Sequence, residues 1–419
     1  MKIVVAVHGT RGDVEPCAAV ARELRDRGHD VRMAVPPNLT GFVASIGFTD
    51  AVPYGVDSQK QVESDAFQNY WQFHNPLTVA RKAIDYYTAG WTDMNAALSG
   101  LAADADLILT GTTYQEVAAN VAERHQIPLA ALHYFPNRPN SQLIPVPAPH
   151  WVAKSGFAVI EWGLWRVSKK AEDDQRRTLG LPPAKVRSAK RVVDSGTLEI
   201  QAYDQLFYPG LTEEWNGSRP FTGAITLGLQ TSTDEEVTSW ISAGKPPIYF
   251  GFGSMPVQSP AEAVSMITEV CAELGERALI SSGVWELDEI PQADHVKLVG
   301  AVNHAAVFPT CRAVVHHGGA GTTAAGARAG VPTLVLWVSA DQPVWARQVK
   351  KLKIGTSQRF TRITKKSLTE ALRTVLDPAV VARARDFAAR LATPEQSVKA
   401  AADLIEKKAQ EHPAPRLSR

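Results

Sequence analysis

The chain opens on an apolar run, Ile3 to His8, which breaks at a glycine-bearing turn, Gly9 to Gly12. A helical pattern follows from Val14 to Arg27, then a Gly28-His29-Asp30 turn and a second apolar run, Val31 to Val35. Strand, tight turn, helix and strand make a βαβ unit, which commits the chain to a parallel sheet covered by helices. Short apolar runs at Leu107 to Thr110 and Leu129 to His133, separated by a helical stretch from Tyr114 to His125, extend the same doubly wound pattern. The segment Pro209 to Gly223 is rich in turn formers and has no period, as an interdomain linker should be.

Beyond that segment the pattern restarts. Pro247 to Phe250 reads as a buried strand ending in Gly251-Phe252-Gly253-Ser254, Pro260 to Leu274 as a helix, and Ala278 to Ser281, Lys297 to Val299, Ala313 to His316 and Thr333 to Trp337 as strands. At 419 residues the chain has the length for two domains. The expected division is 1–208, a linker 209–223, a second Rossmann-like domain 224–395, and a helix and tail 396–419. The fold class is therefore α/β: two doubly wound domains facing each other across a cleft at the carboxyl ends of both sheets, where ligands of such sheets bind. Ala379 to Gln410 is helix-favouring and carries alternating charge, so it is expected on the surface.

Charge excludes one class of partner. Lys and Arg number 44 against 43 Asp and Glu, which gives no electrostatic footprint for nucleic acid. Cys17, Cys271 and Cys311 are too few and too scattered for a disulfide framework or a zinc site, which fits a reducing cytoplasm. The opening apolar run lacks the length and cleavage pattern of a signal peptide, and no run of about 18 apolar residues spans a bilayer. A cytoplasmic protein is expected, with peripheral contact at the inner face of a membrane as a further option. Trp151, Phe157, Trp162 and Trp165 lie on an amphipathic helical stretch followed by Lys169 and Lys170. Such spacing is read first as packing against a core or a neighbouring domain, and second as a membrane-touching face.

The segment Val314-Val315-His316-His317-Gly318-Gly319-Ala320-Gly321-Thr322-Thr323 carries the chemistry. A strand delivers two histidines into a turn of small residues, and the helix after it starts near Thr322 with its free N–H groups facing the turn. Small residues admit a close approach, the helix dipole favours negative charge, and a histidine adds a hydrogen bond; this is a cradle for a diphosphate without a metal. The plain alternative is a tight turn packed against a neighbour.

This segment resembles the donor-site signature of inverting GT-B glycosyltransferases of family 1, the group holding antibiotic, sterol and actinobacterial glycolipid enzymes. The likeness spans nearly the whole chain. It implies a hexose or deoxyhexose moved from a UDP- or dTDP-sugar to a hydroxyl of a lipophilic acceptor: a glycolipid, peptidolipid or polyketide aglycone. No cofactor beyond the nucleotide sugar is implied. In that family the signature histidine precedes a Val-Pro pair by fifteen residues, which selects His317, fifteen before Pro332. By the same likeness Gly319, Gly321 and Thr322 contact phosphate, Asp341 and Gln342 hold the transferred sugar, Gly253 and Ser254 form a second phosphate-side loop, and Val302 offers main-chain contacts to the base. One departure is Ala325, which stands where plant-type members carry a ribose-holding Glu.

The loop His8-Gly9-Thr10-Arg11-Gly12-Asp13-Val14-Glu15-Pro16 resembles the amino-terminal loop of the antibiotic and sterol branches. Asp13 is the expected general base, because a neutral hydroxyl is a poor nucleophile until a carboxylate takes its proton. Many relatives use a histidine near this position. The competing reading makes Asp13 a helix N-cap with Pro16 in the first turn, a position that also lowers a carboxylate pKa. Thr10 and Arg11 lie beside it, within reach of acceptor or phosphate. The aromatic run Phe67 to Trp91, with Trp71 and Phe73, and the strand end His133 to Pro136, with His133 and Phe135, are the expected acceptor walls.

Asp104-Ala105-Asp106 is a literal Asp-x-Asp but precedes a strand instead of following one, so it is set aside as a metal site; His29 is read as a structural turn residue. Two rivals share the donor half: a nucleotide-sugar epimerase and a non-catalytic nucleotide-sugar-binding protein. The Asp13 loop and the Asp341-Gln342 pair favour transfer over the first, and turnover separates the second.

Overall fold

The computed structural model describes residues 1–63, 76–143, 150–227, 234–252, 260–282, 293–338 and 341–411. They divide into two compact units, one of Met1–Gln205, Pro209–Leu227 and Pro394–Arg419, the other of Leu206–Tyr208 and Gly228–Thr393.

In the first unit, β1 (Lys2–Ala6), β2 (Asp30–Val35), β3 (Val52–Pro53), β4 (Leu107–Thr110), β5 (Leu129–His133) and β6 (Leu198–Gln201) form a sheet in the order β3-β2-β1-β4-β5-β6. Every pairing is parallel. Strands buried on both faces read as continuous apolar runs, as β4 and β5 do, and they need helices on either side. Helices α1 (Arg11–Asp26), α2 (Gln115–His125) and α3 (His150–Thr178) belong to this unit. Val4, Ala6 and Ile108 pack with Val117 and Val121 of α2 and with Met94 and Leu98.

The second unit repeats the plan with β7 (Ile248–Gly251), β8 (Ala278–Ser281), β9 (Val296–Val299), β10 (Ala313–His316), β11 (Thr333–Trp337) and β12 (Gly355–Arg359). Their order is β12-β11-β10-β7-β8-β9, again all parallel. Counted from its own first strand, each sheet runs 3-2-1-4-5-6, the Rossmann order. Alternation along each strand sends residues to opposite faces. Phe250, Val315 and Leu334 thus pack with α4 (Pro260–Leu274) and, beyond α5 (Ala320–Arg328) and α6 (Gln342–Lys351), with Leu368 and Leu372 of α7 (Lys365–Val375). Tyr249, Leu279 and Val314 face the other way, onto Val302 and Phe308. The expected α/β class with two Rossmann-like domains is the fold observed.

Three features of the packing lie beyond what the sequence reading specified. Strands β3, β6 and β12 were absent from that reading; β6 is Leu-Glu-Ile-Gln and β12 Gly-Thr-Ser-Gln-Arg, too polar to announce themselves. The buried Glu199 of β6 is held between Arg138 and Arg219, which is what permits a carboxylate inside a sheet. Second, 209–223 packs on the first unit: Trp215 is buried and its Nε1–H donates to the Pro139 carbonyl at 3.0 Å. Third, the last helix, α8 (Pro394–Glu411), docks on α1 of the first unit. Ala401, Ala402 and Ile405 are buried there, and Arg27 donates to Asp403 at 2.6 Å and to Glu406 at 2.9 Å.

Helix α3 is packed along part of its length, with Phe157 and Trp165 half-buried and Trp162 exposed. Its inward side carries Ser168, Glu172, Gln175 and Arg176, a buried polar set satisfied by Arg191, Asn120 and Glu123. Earlier in the helix Val159, Ile160, Trp162 and Leu164 stand 49–68% exposed. Of the helices among the described residues, none is long and apolar enough to cross a membrane.

Candidate functional site

Each sheet reverses its strand order once, between β1 and β4 in the first unit and between β10 and β7 in the second. At such a point the chain leaves neighbouring strands in opposite directions and opens a crevice at their carboxyl ends. Asp13 follows β1 at the first of these points, and His317 follows β10 at the second.

In the first unit β1 runs out at Ala6 and the chain turns at Gly9, whose φ of +140° favours glycine. A side chain there would collide with the Asp13 carboxylate. This turn lets α1 begin at Arg11, earlier than the sequence suggested, with Thr10 as its N-cap. Asp13 is therefore the third residue of the helix and not its cap, and Pro16 lies inside the helix and not in its first turn. The Asp13 carboxylate reaches back to accept the Thr10 N–H at 2.8 Å and the Thr10 hydroxyl at 3.1 Å, closing a capping box. Its backbone carbonyl accepts the buried Tyr134 hydroxyl at 2.7 Å. Asp13 as a residue is half-buried. Arg11 turns away toward Glu15 at 3.1 Å and lies over the Phe42 ring.

The nearby His8 is spoken for. It is buried, its Nε2–H donates to the Val56 carbonyl at 2.9 Å, and burial lowers its pKa. The Thr113 hydroxyl donates to the His8 carbonyl and ties the end of β1 to the loop after β4. Tyr114 follows at φ 55°, a left-handed conformation uncommon for an aromatic residue, with its ring edge-on to His8 at 5.0 Å. Thr113 and Tyr114 were not named as site residues in the sequence, and Tyr134 only within the His133 to Pro136 stretch; the pairing of β1, β4 and β5 brings the first two to His8 and the third to Asp13.

In the second unit β10 delivers His316 and His317 between Gly251 of β7 and Val335 of β11. Gly318 turns the chain at φ +96°, where a side chain would strike Val335 and Gln342. Gly319 caps α5, and the first intrahelical bond runs from the Thr323 N–H to the Gly319 carbonyl at 2.9 Å. The N–H groups of Ala320, Gly321 and Thr322 thus precede the helical ladder, as an anion site requires. The His317 ring sits over Gly319, whose missing Cβ would lie 2.7 Å from Nε2. Burial pushes the His317 pKa down to about 4, partly offset by the backbone of Gly251, so the imidazole is neutral near pH 7.

Asp341 is the N-cap position of α6, and burial raises its pKa. The Gln342 side-chain oxygen accepts the Val338 N–H at 2.8 Å. Val302 is buried among Val299, Val307 and Phe308, so only its main chain is available for contact. Gly253, Ser254, Trp71 and Phe73 lie outside the described residues.

The proposed acceptor wall loses a member. His133 is 0% exposed, with its ring nitrogens 2.7 Å from Gln115 and 3.3 Å from Gln201. It belongs to a buried polar network and contributes no surface, because β6, unread in the sequence, covers it; Phe135 keeps partial exposure. Asp104 and Asp106 are occupied as their position suggested: Lys2 and Arg32 pair with Asp104, and Asp106 accepts the Lys2 N–H. His29 lies 2.7 Å from Glu406 and serves the docking of α8. Among the described residues no group of three or more His, Cys, Asp or Glu is placed to hold a metal ion.

Comparison with known proteins converges on one family. Residues 3–143 match the Glycosyltransferase family 28 N-terminal domain, and residues 261–406 match the Erythromycin biosynthesis protein CIII-like C-terminal domain. An uncharacterized glycosyltransferase of Mycobacterium tuberculosis is 57% identical over 408 residues, 97% of this chain and 98% of that protein. A sterol 3-beta-glucosyltransferase of Arabidopsis thaliana is 30% identical over 93% of this chain, which spans 62% of that longer protein. Among solved structures, the calicheamicin glycosyltransferase CalG4 superposes with a TM-score of 0.72 at 18% identity, covering 100% of this chain and 99% of its own. The glycosyltransferase VinC, solved in complex with dTDP, gives 0.65 at 17% identity, with 98% and 100% covered. Two Rossmann-ordered units, a histidine-and-glycine turn feeding a helix, and near-full-length similarity to a glycosyltransferase agree: the chain belongs to the GT-B-type glycosyltransferases and is a transferase enzyme.

Proposed function

We propose that the protein is an inverting, metal-independent hexosyltransferase of the family 1 type. It takes a hexose or deoxyhexose from a UDP- or dTDP-sugar and attaches it to a hydroxyl of a lipophilic acceptor. The observation that carries this is the turn after β10, where neutral His317 and the first N–H groups of α5 converge at the switch point of the sheet. In this reading Gly319, Gly321, Thr322, Gly253 and Ser254 line the diphosphate, the Val302 main chain meets the base, and Asp341 and Gln342 hold the sugar hydroxyls. Asp13 takes the acceptor proton as the acceptor oxygen bonds to the anomeric carbon, and the carbon–oxygen bond to the nucleoside diphosphate breaks on the opposite side. The charge left on the diphosphate is stabilised by the helix N-terminus and His317. Thr10 orients Asp13, and Arg11 is the nearby cation on the same loop. The VinC complex with dTDP supports a nucleoside diphosphate in this fold, and the sterol glucosyltransferase and CalG4 support an apolar acceptor of the glycolipid, peptidolipid or polyketide kind.

The test is turnover by mass spectrometry, pairing UDP- and dTDP-hexoses with hydrophobic acceptors, with EDTA and with Asp13→Asn. A hexosyl adduct that survives EDTA, disappears in Asp13→Asn and shows inverted anomeric configuration by NMR is the expected result. Isomerised sugar nucleotide, or binding without turnover, points to the epimerase or binding-protein alternatives, and loss of product in EDTA removes metal independence.

A second reading concerns location and rests on α3. Exposed Val159, Ile160, Trp162 and Leu164 are accompanied by exposed Arg166 and Lys170 two turns on, a pairing suited to the headgroup region of an anionic membrane. We propose peripheral contact with the cytoplasmic face of a membrane through this helix. Co-sedimentation with phosphatidylglycerol vesicles that is lost in Trp162→Ser supports it; equal recovery of both proteins in the supernatant removes it.

A further inference from the structure

Two adjacent histidines end β10, and the reading above uses only His317. His316 is 0% exposed, on the central strand of its sheet, between Gly251 and Val335. Its Nδ1 accepts the N–H of Gly318 at 2.9 Å. An N–H donor fixes the tautomer: Nδ1 holds a lone pair, so the proton of this imidazole is on Nε2. Burial and the neighbouring His317 and His304 keep the ring neutral, which the acceptor role of Nδ1 requires.

The same tautomer leaves Nε2–H buried with no hydrogen-bond partner among the described residues. A buried donor without an acceptor is costly, and a histidine retained only to fill space would be displaced by an apolar residue that avoids the cost. What the arrangement secures is the turn. Gly318 stands at φ +96°, against Val335 and Gln342, and its N–H is turned back into the protein by His316. Residue 317 is thereby held between a strand and a pinned glycine, with its ring over Gly319.

We infer that His316 is a positioning residue for the nucleotide site: its Nδ1 pins Gly318 and so sets where the His317 ring and the first turn of α5 stand. The inference rests on the reading of that turn as the diphosphate site. It acts through geometry and not through contact with substrate, and it predicts an asymmetry between two amides. The Asn side-chain oxygen reaches the place of Nδ1, whereas Gln carries its amide to the place of Nε2, past the Gly318 N–H.

The experiment compares UDP and dTDP binding by calorimetry, and KM against kcat for transfer, in wild type, His316→Asn and His316→Gln. Imidazole 15N shifts of the wild-type chain are read alongside. Expected are an Nε2–H tautomer, His316→Asn binding close to wild type, and His316→Gln weakened by at least about tenfold, mainly in KM. Equal affinity of the two variants, or a stronger His316→Gln, overturns the inference. An Nδ1–H or charged ring overturns it too, and that reading needs no folded variant. If wild type binds neither nucleotide, the diphosphate reading itself fails and the inference falls with it, an outcome distinct from binding that does not discriminate the variants.

Discussion

Gly319 and Gly321 stand in the same short turn for different physical reasons, and alanine at each separates the internal needs of the protein from those of a ligand. At Gly319 the backbone, φ −61° and ψ 146°, is open to any residue, so only contact argues for glycine. The added Cβ would sit 2.7 Å from His317 Nε2, and ordinary contact begins at 3.4 Å, so the ring must retreat by about 0.7 Å. A hydrogen bond to phosphate spans roughly 2.7–3.2 Å, so that retreat takes Nε2 out of range and should weaken UDP or dTDP binding about ten- to a hundredfold. At Gly321 a Cβ meets nothing within 4 Å. There alanine should favour the helix by up to about 1 kcal/mol and raise the melting temperature by about 2–4 °C. Yet the methyl group enters the space above the free N–H groups, where the diphosphate is proposed to lie, so Gly321→Ala should be more stable and bind nucleotide less tightly. Calorimetric titration and thermal melts on both variants give the four numbers needed. If Gly321→Ala gains stability with unchanged nucleotide affinity, the diphosphate does not lie over this turn and the argument from small residues is refuted.

Burial lowers the pKa of His8, His133, His316 and His317, the last from 6.5 to about 4. Each binds fewer protons folded than unfolded below 6.5, so their contribution is intact above that pH and declines as pH falls below it, for His317 down to about 4. Melting temperature should therefore decline across this window, less steeply in His317→Asn; a flat profile contradicts the assignment. Asp13→Asn keeps an oxygen for the Thr10 N–H, so it should cost under about 1 kcal/mol of stability while cutting transfer by about 10²- to 10⁴-fold. Normal turnover in this variant removes Asp13 from the chemistry. Ile405→Ala empties a fully buried site where α8 meets α1 and should cost about 2–5 kcal/mol; an unchanged melt would mean that the last helix contributes nothing to the first unit.

How much was legible follows from the range over which each signal acts. The strands from Leu107, Leu129, Ala278, Ala313 and Thr333 were read to their ends, because a strand buried on both faces must be apolar throughout and says so locally. The His317 turn was legible for a similar reason: small residues between a buried strand and a helix are a local requirement of a close approach. Strands β6 and β12 were not, since their polar residues are tolerated only where distant partners, such as Arg138 and Arg219 for Glu199, satisfy them.

The sequence by itself therefore determined two parallel-sheet domains and the residue types at both switch points. Only tertiary structure decided that Asp13 sits inside a capping box, that His8 and His133 are consumed by hydrogen bonds, and that α8 returns to the first unit. It also turned the apolar side of α3 outward and gave His316 a glycine to hold. Periodicity and composition report the environment that a residue needs, averaged over its neighbours in sequence. Which atom meets its hydrogen-bond partner depends on residues more than a hundred positions away, as Tyr134 and Asp13 are, and that pairing exists only once the chain has folded.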